Sequence, residues 1–149
     1  MFGVSAMLSF ATGTSWGTFG ILIPIIVSVC ETAAPELTVT ALSAILAGSV
    51  FGDHCSPISD TTIMSSTGAG CAHIDHVSTQ LPYSLTVASV CVVGYLVAGF
   101  SAGLGFGTSL LITDVISLLL LAVLLLALPK IWSGEKKAVQ KTPALAAQK

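Results

Sequence analysis

Two kinds of stretch alternate along this chain: long apolar runs almost without charge, and short interruptions of glycine, hydroxyl and carboxylate. The clearest apolar run is Thr108–Leu128, "TSLLITDVISLLLLAVLLLAL", followed by Pro129. Its 21 residues are enough to cross a ~30 Å hydrocarbon core at ~1.5 Å per residue. A second run, Leu81–Phe100, carries no charge, and "SAGLGFG" (101–107) joins the two as a glycine turn between antiparallel spans. The pattern predicts that Pro129 ends the last helix and that 71–80 and 31–37 are polar loops, with Glu31 and Glu36 in water.

The remaining segments do not read as simple spans. A single helix over Leu37–Gly70 would be ~51 Å long, too long for the core without extreme tilt. It is interrupted by "GDHCSP", where Pro57 lacks a backbone donor and Gly52 adds freedom. The expected arrangement is two half-helices, about 37–51 and 60–69, with an unwound link at 52–59 and Ser59 as N-cap of the second half. Residues 2–29 repeat the theme: apolar arms of ~10–12 residues flank "ATGTSWGT" (11–18), with the break at Gly13. They form either a broken span or a re-entrant hairpin reaching the midplane, with the hairpin favoured. The Gly13–Gly17 and Gly48–Gly52 spacings suit close helix contact.

Composition fixes the class. Hydrophobic residues make up 54% of the 149 and charged residues 8%, against roughly 25% charged in soluble domains. The fold class expected is an all-α polytopic membrane protein with broken helices. Arginine is absent, and the five lysines, Lys130, Lys136, Lys137, Lys141 and Lys149, all lie in the last twenty residues. Residues 1–129 therefore read as the transmembrane region and 130–149 as a disordered basic tail, placed in the cytoplasm by the positive-inside rule. Met1 opens directly into membrane-type sequence without a basic leader, which suggests a fragment or one half of a split protein. Cys30, Cys55, Cys71 and Cys91 lack metal or redox spacing and read as packing residues.

The charge placement also sharpens the chemistry. Asp53 and Asp60 sit at a helix break, and residues 1–129 offer them no Lys or Arg. Intramembrane carboxylates are costly, and a buried one needs a proton, a cation or an outside partner. Proton and cation alternating on one carboxylate is the chemistry of exchange. Irregular backbone at membrane depth survives only inside protein or beside a water-filled cavity, so the two breaks are expected to face each other. Hydroxyls from Thr12, Thr14, Ser15, Ser56, Ser59, Thr61 and Thr62, with freed carbonyls, would complete an oxygen shell suited to a hard cation. His54 is either a proton relay or a simple donor. His73, Asp75 and His76 read as a solvated loop, and Asp114 as structural.

"GDHCSPISDTTIMSSTGAG" with "HIDHVSTQLPYSL" resembles the C-terminal part of NhaC-type sodium/proton antiporters, and "FATGTSWGTFGILIPI" resembles the polar motif those proteins carry just upstream. The similarity covers roughly residues 2–100. It implies sodium exchanged for protons, or organic acids or amino acids exchanged with coupled ions in some relatives. It also implies a fold of paired hairpins and broken helices in two inverted halves, of which this chain would be one. The positions carried over are Thr12, Gly13, Thr14, Ser15, Asp53, Ser56, Pro57, Ser59, Asp60, Thr61 and Thr62. Relatives are much longer, and often carry an acidic residue at Ala72 and a basic one at Ser78.

The resulting expectation is a non-enzymatic sodium/proton antiporter segment in a bacterial cytoplasmic membrane, with Asp60 as leading carboxylate and Asp53 as second, both on sodium. No cofactor beyond transported sodium and protons, and no nucleic-acid partner, is expected. The partners are the bilayer and the missing N-terminal half, with homo-oligomerisation left open. An intramembrane aspartyl hydrolase and an inactive fragment are the alternatives; the sequence reads "SVFGD" and so lacks the GxGD pattern of intramembrane aspartyl proteases.

Overall fold

The structure, a computed structural model, describes residues 1–139, with side chains as far as residue 127. Among the described residues every regular element is helical: α1 Phe2–Thr12, α2 Ser15–Ala33, α3 Thr38–Cys55, α4 Asp60–Gly68, α5 His73–Ser101 and α6 Phe106–Val139, with single 3-10 turns at Pro35–Leu37 and Ala102–Leu104. Four stretches are long and apolar enough to cross a membrane: Ser15–Ala33, Pro35–Cys55, His73–Leu104 and Phe106–Ala127. This is an all-α polytopic membrane protein.

Local chemistry explains where the chain bends. Gly13 closes α1 in the left-handed conformation at φ 68°, donating its amide to Ser9 O at 2.8 Å. Thr14 then opens α2 as N-cap, its hydroxyl accepting from Gly17 N at 3.4 Å. Between them the chain reverses. α1 runs parallel to α3, with Ser5 bonded to Ala44 O at 3.5 Å and Ser56, at the far end, bonded to Phe10 O at 2.8 Å. α2 runs back against α3, where Ile26 and Cys30 cluster with Ile45. The first two helices thus form a hairpin, but with unequal arms: α2 has 19 residues rather than the expected half-span.

The second break is narrower than the sequence suggested. α3 continues through Gly52, Asp53 and His54 to Cys55, and only residues 56–59 are non-helical. Pro57 sets this limit. Its ring pushes the preceding residue out of the α region, and Ser56 is extended at ψ 126°. Residues further back feel no such clash, so Gly52 is not a helix break. Its role is contact. A Cβ there would strike the carbonyl of Ala6 and come within 2.9 Å of Phe10 N, and one at Gly48 would strike Phe2 O and the Ser5 hydroxyl. The two glycines let α1 lie directly on α3. Ser59 caps α4, its hydroxyl accepting from Thr62 N at 3.4 Å.

Three further boundaries move. α5 begins at His73 rather than Leu81, so the expected 71–80 loop shrinks to the residues around Gly70 (φ 65°), and Pro82 is accommodated inside the helix. The 31–37 loop is likewise almost wholly helical, with Glu31 and Glu36 exposed as expected. α6 does not stop at Pro129 but runs to Val139. A proline removes one hydrogen bond and can kink a helix without ending it. Residues 140–149 of the expected basic tail lie outside the described residues.

The core is small and sits on α3. Phe2, Ala44 and Ala88 form one cluster, joined by Phe51, Cys91 and Tyr95. Phe2 stacks on Phe51 with centroids 5.9 Å apart. α5 lies across this cluster, and α6 packs on α5 where Ser101 Oγ meets Ser109 Oγ at 2.7 Å. Beyond Ser109, the candidate span in α6 buries none of its described residues. Its surface is left for lipid or for other protein.

Candidate functional site

The two breaks touch. A Cβ on Gly13 would come within 2.7 Å of Ile58 O, and Ser56 Oγ, fully buried, donates to Phe10 O at 2.8 Å. Chain reversal at 13–14 and unwinding at 56–59 therefore share one place, at the end of α1 and α3. The surroundings are unusually polar for a membrane protein's interior. Ser5, Ser9, Ser49, Ser56 and Ser59 are all fully buried, and Thr18 and Thr62 nearly so.

Asp53 is the buried carboxylate of this cluster, 3% exposed. Its Oδ2 accepts from Thr61 Oγ1 at 3.2 Å. Ser59 Oγ lies 2.8 Å from that same threonine hydroxyl. Thr61 has one hydroxyl proton, and the carboxylate takes it, so Ser59 donates to Thr61 in turn. A directed chain of hydroxyls thus ends on Asp53 Oδ2. Asp53 Oδ1 has no hydrogen-bond partner among the described residues, and neither has Ser49 Oγ. The two residues are four apart on α3 and therefore share a face, continuing the line of Ile45 toward the break. Each buried polar group left unpaired costs about 1–3 kcal/mol.

Asp60 is placed differently. It is exposed, and its Oδ1 accepts the amide of Thr61 at 2.7 Å in the first turn of α4, where a carboxylate suits the helix dipole. Thr61 thus stands between the two aspartates, giving its hydroxyl to one and its amide to the other. Among the described bonds none joins the carboxylates directly, as a proton-sharing aspartyl dyad would require.

The other sequence candidates divide. Ser56, Ser59, Thr61 and Thr62 are gathered at the break. Thr12 is exposed and returns its hydroxyl to Leu8 O at 2.9 Å, and Thr14 is committed to its cap. Ser15 is half-buried beside it. His54 is exposed, its Nδ1 donating to Val50 O at 2.9 Å one turn back on its own helix. Asp114 lines a cavity of about 350 Å³ between α3, α5 and α6, with Ser43, Tyr95 and Ser117 among its neighbours, well away from the break.

Two residues at this break do not stand out in the sequence. Ser49 lies inside a long apolar helix, where a serine ordinarily bonds its own backbone. Its position four residues before Asp53 is the signal that would have found it. His73 reads from sequence as solvated loop, yet its Nε2 lies 2.6 Å from Pro57 O and its Nδ1 3.2 Å from Ser66 Oγ. Among the described residues no three His, Cys, Asp or Glu side chains gather as for a transition metal. The break offers hydroxyl and carbonyl oxygens around one buried carboxylate, which is hard-cation chemistry.

Residues 1–100 match the Na+/H+ antiporter family. The chain belongs to this family. A Haemophilus influenzae protein described only as uncharacterized is 60% identical over 101 residues, covering 68% of this chain and 20% of its own length. The malate-2H(+)/Na(+)-lactate antiporter of Bacillus subtilis is 34% identical over 100 residues, covering 67% of this chain and 21% of that protein. An uncharacterized Na(+)/H(+) antiporter of Haemophilus influenzae is 38% identical over 102 residues, covering 66% and 22%. The chain spans about a fifth of the length of these curated relatives. No solved structure matches it. The match includes both breaks and most of α5, and it stops before α6.

Proposed function

We propose that this chain carries the cation- and proton-binding segment of a sodium/proton antiporter, with Asp53 rather than Asp60 as its principal carboxylate. The observation that carries this reading is the pair of buried, unpartnered oxygens, Asp53 Oδ1 and Ser49 Oγ, beside two touching helix breaks. Residues 1–129 hold no Lys or Arg to neutralise Asp53, and sodium and a proton compete for it. Ser49, Ser59 and Thr61 supply oxygen to the bound ion or hold the carboxylate. Asp60 attracts cations at the mouth.

The whole protein works in a bacterial cytoplasmic membrane, with the lysine-rich end inside. On that orientation Asp53 lies ~22 Å along α3 from Thr38, past the middle of a ~30 Å core and toward the cytoplasmic side. The remainder of the transporter covers the breaks and moves against this segment to alternate access. A second reading keeps the same carboxylate but couples it to an organic acid; it is favoured by the 34% identity to a relative described as a malate/lactate antiporter.

Radioactive sodium binding to the purified chain in lipid nanodiscs tests the proposal. We expect saturable retention that weakens as pH falls and is lost in Asp53→Asn. Retention that is absent, indifferent to pH, or unchanged in Asp53→Asn overturns the assignment. Displacement of sodium by lactate or malate, or its failure, decides between the two readings.

A further inference from the structure

We propose that His73 is a positioning residue that pins the second helix break and thereby sets the geometry of the Asp53 site. This rests on the reading of the break as the cation site. The imidazole spans three elements. It begins α5, reaches back sixteen residues to the carbonyl of Pro57 with Nε2 at 2.6 Å, and meets Ser66 on α4 with Nδ1 at 3.2 Å. A carbonyl only accepts, so Nε2 carries a proton in either charge state of the ring, and the neutral ring is held as the Nε2–H tautomer.

The segment so held needs holding. Residues 56–59 have no helical ladder, and Pro57 has no amide to give. The carbonyl of Pro57 is satisfied by a side chain from another helix instead. Two residues on stands Ser59, which both caps α4 and starts the hydroxyl chain to Asp53. One residue before stands Ser56, which ties the break to α1. His73 fixes the stretch between these anchors, and through Ser66 it fixes the distance from α4 to that stretch. Removing it leaves Asp53 in place but lets the oxygens that orient it wander. His73 itself does not touch the ion.

Three substitutions separate its two bonds. His73→Gln keeps a donor near the Nε2 position, His73→Asn keeps only a hydrogen-bonding group near Nδ1, and His73→Ala removes both. Amide hydrogen exchange of the full chain in nanodiscs, without sodium, reads the pin directly. Losing the bond to Pro57 should speed exchange at Ile58 to Thr62 by about tenfold in His73→Ala and His73→Asn, the effect of about one net hydrogen bond, with His73→Gln restoring most of the protection. Sodium affinity should fall by a similar factor in the first two and recover in His73→Gln, while the number of sites per chain stays constant. Nitrogen-15 spectra of the wild-type ring should show a protonated Nε2.

Unchanged exchange in His73→Ala, or His73→Gln as damaged as His73→Ala, overturns the pin. Faster exchange with unaltered sodium affinity overturns the positioning role. A wild-type chain that retains no sodium overturns the cation-site reading instead, and with it the positioning role, while exchange still decides the pin. Thermal transitions of the three variants guard against misfolding: a variant that has lost its transition is replaced in the comparison by Ser66→Ala, which weakens the same pin from the α4 side and is expected to raise exchange less than His73→Ala.

Discussion

Adding one methyl group at Gly52 tests the account of how α1 and α3 meet. In Gly52→Ala the new Cβ collides with the carbonyl oxygen of Ala6 and stands 2.9 Å from both Ala6 C and Phe10 N. All three are backbone atoms, so no rotamer change relieves the clash and α1 itself must move. Overpacking of this kind costs about 1–3 kcal/mol. Displacing α1 also strains the bonds from Ser9 to Ser49 O (2.6 Å) and from Ser56 to Phe10 O (2.8 Å). Each such bond contributes about 0.5–1.5 kcal/mol. Alanine's better helix propensity returns about 1 kcal/mol, leaving a net loss of about 2–3 kcal/mol. Gly20→Ala on α2 is the control, because its Cβ meets nothing within 4 Å. It should be neutral or stabilise by up to about 1 kcal/mol. Equilibrium unfolding in mixed micelles, followed by circular dichroism and Trp fluorescence, measures both. If Gly52→Ala is as stable as Gly20→Ala, α1 does not lie on α3 as described.

Gly13→Ala should destabilise by at least about 1 kcal/mol in the same assay, since φ 68° is unfavourable for any side chain and the Cβ would press on Ile58 O. Ser59→Ala should cost about 1 kcal/mol through the lost cap and should also weaken sodium binding by freeing Thr61; a stability loss without any change in binding would detach Ser59 from the site. Asp60→Asn should lower sodium affinity far less than Asp53→Asn, and the reverse order in nanodisc binding would restore Asp60 as the leading carboxylate. Apparent sodium affinity should fall with pH by no more than tenfold per unit, the limit for one competing proton, and a steeper slope in a titration would require a second coupled group.

The sequence by itself determined the class, the two C-terminal spans and the approximate position of the breaks. Those depend on quantities that are local in the chain: apolar length, missing charge, a proline, a capping serine. Gly13 ends a helix because the next turn has a capping threonine, and Ser56 ends one because Pro57 follows it; both are nearest-neighbour effects. The tertiary structure decided what the pattern left ambiguous. Gly52 reads equally well as a break or as a contact glycine, and only the approach of α1 makes it the second. Sequence alone puts Asp60 ahead of Asp53. Asp53 turns inward beside Ser49 while Asp60 stands exposed in the first turn of α4, because the four-residue break reorients the chain between them. His73 reads as loop because its partners, Pro57 and Ser66, are sixteen and seven residues away. Burial and hydrogen bonding between distant segments are set by how helices pack, and packing depends on pairs of residues that no local window contains.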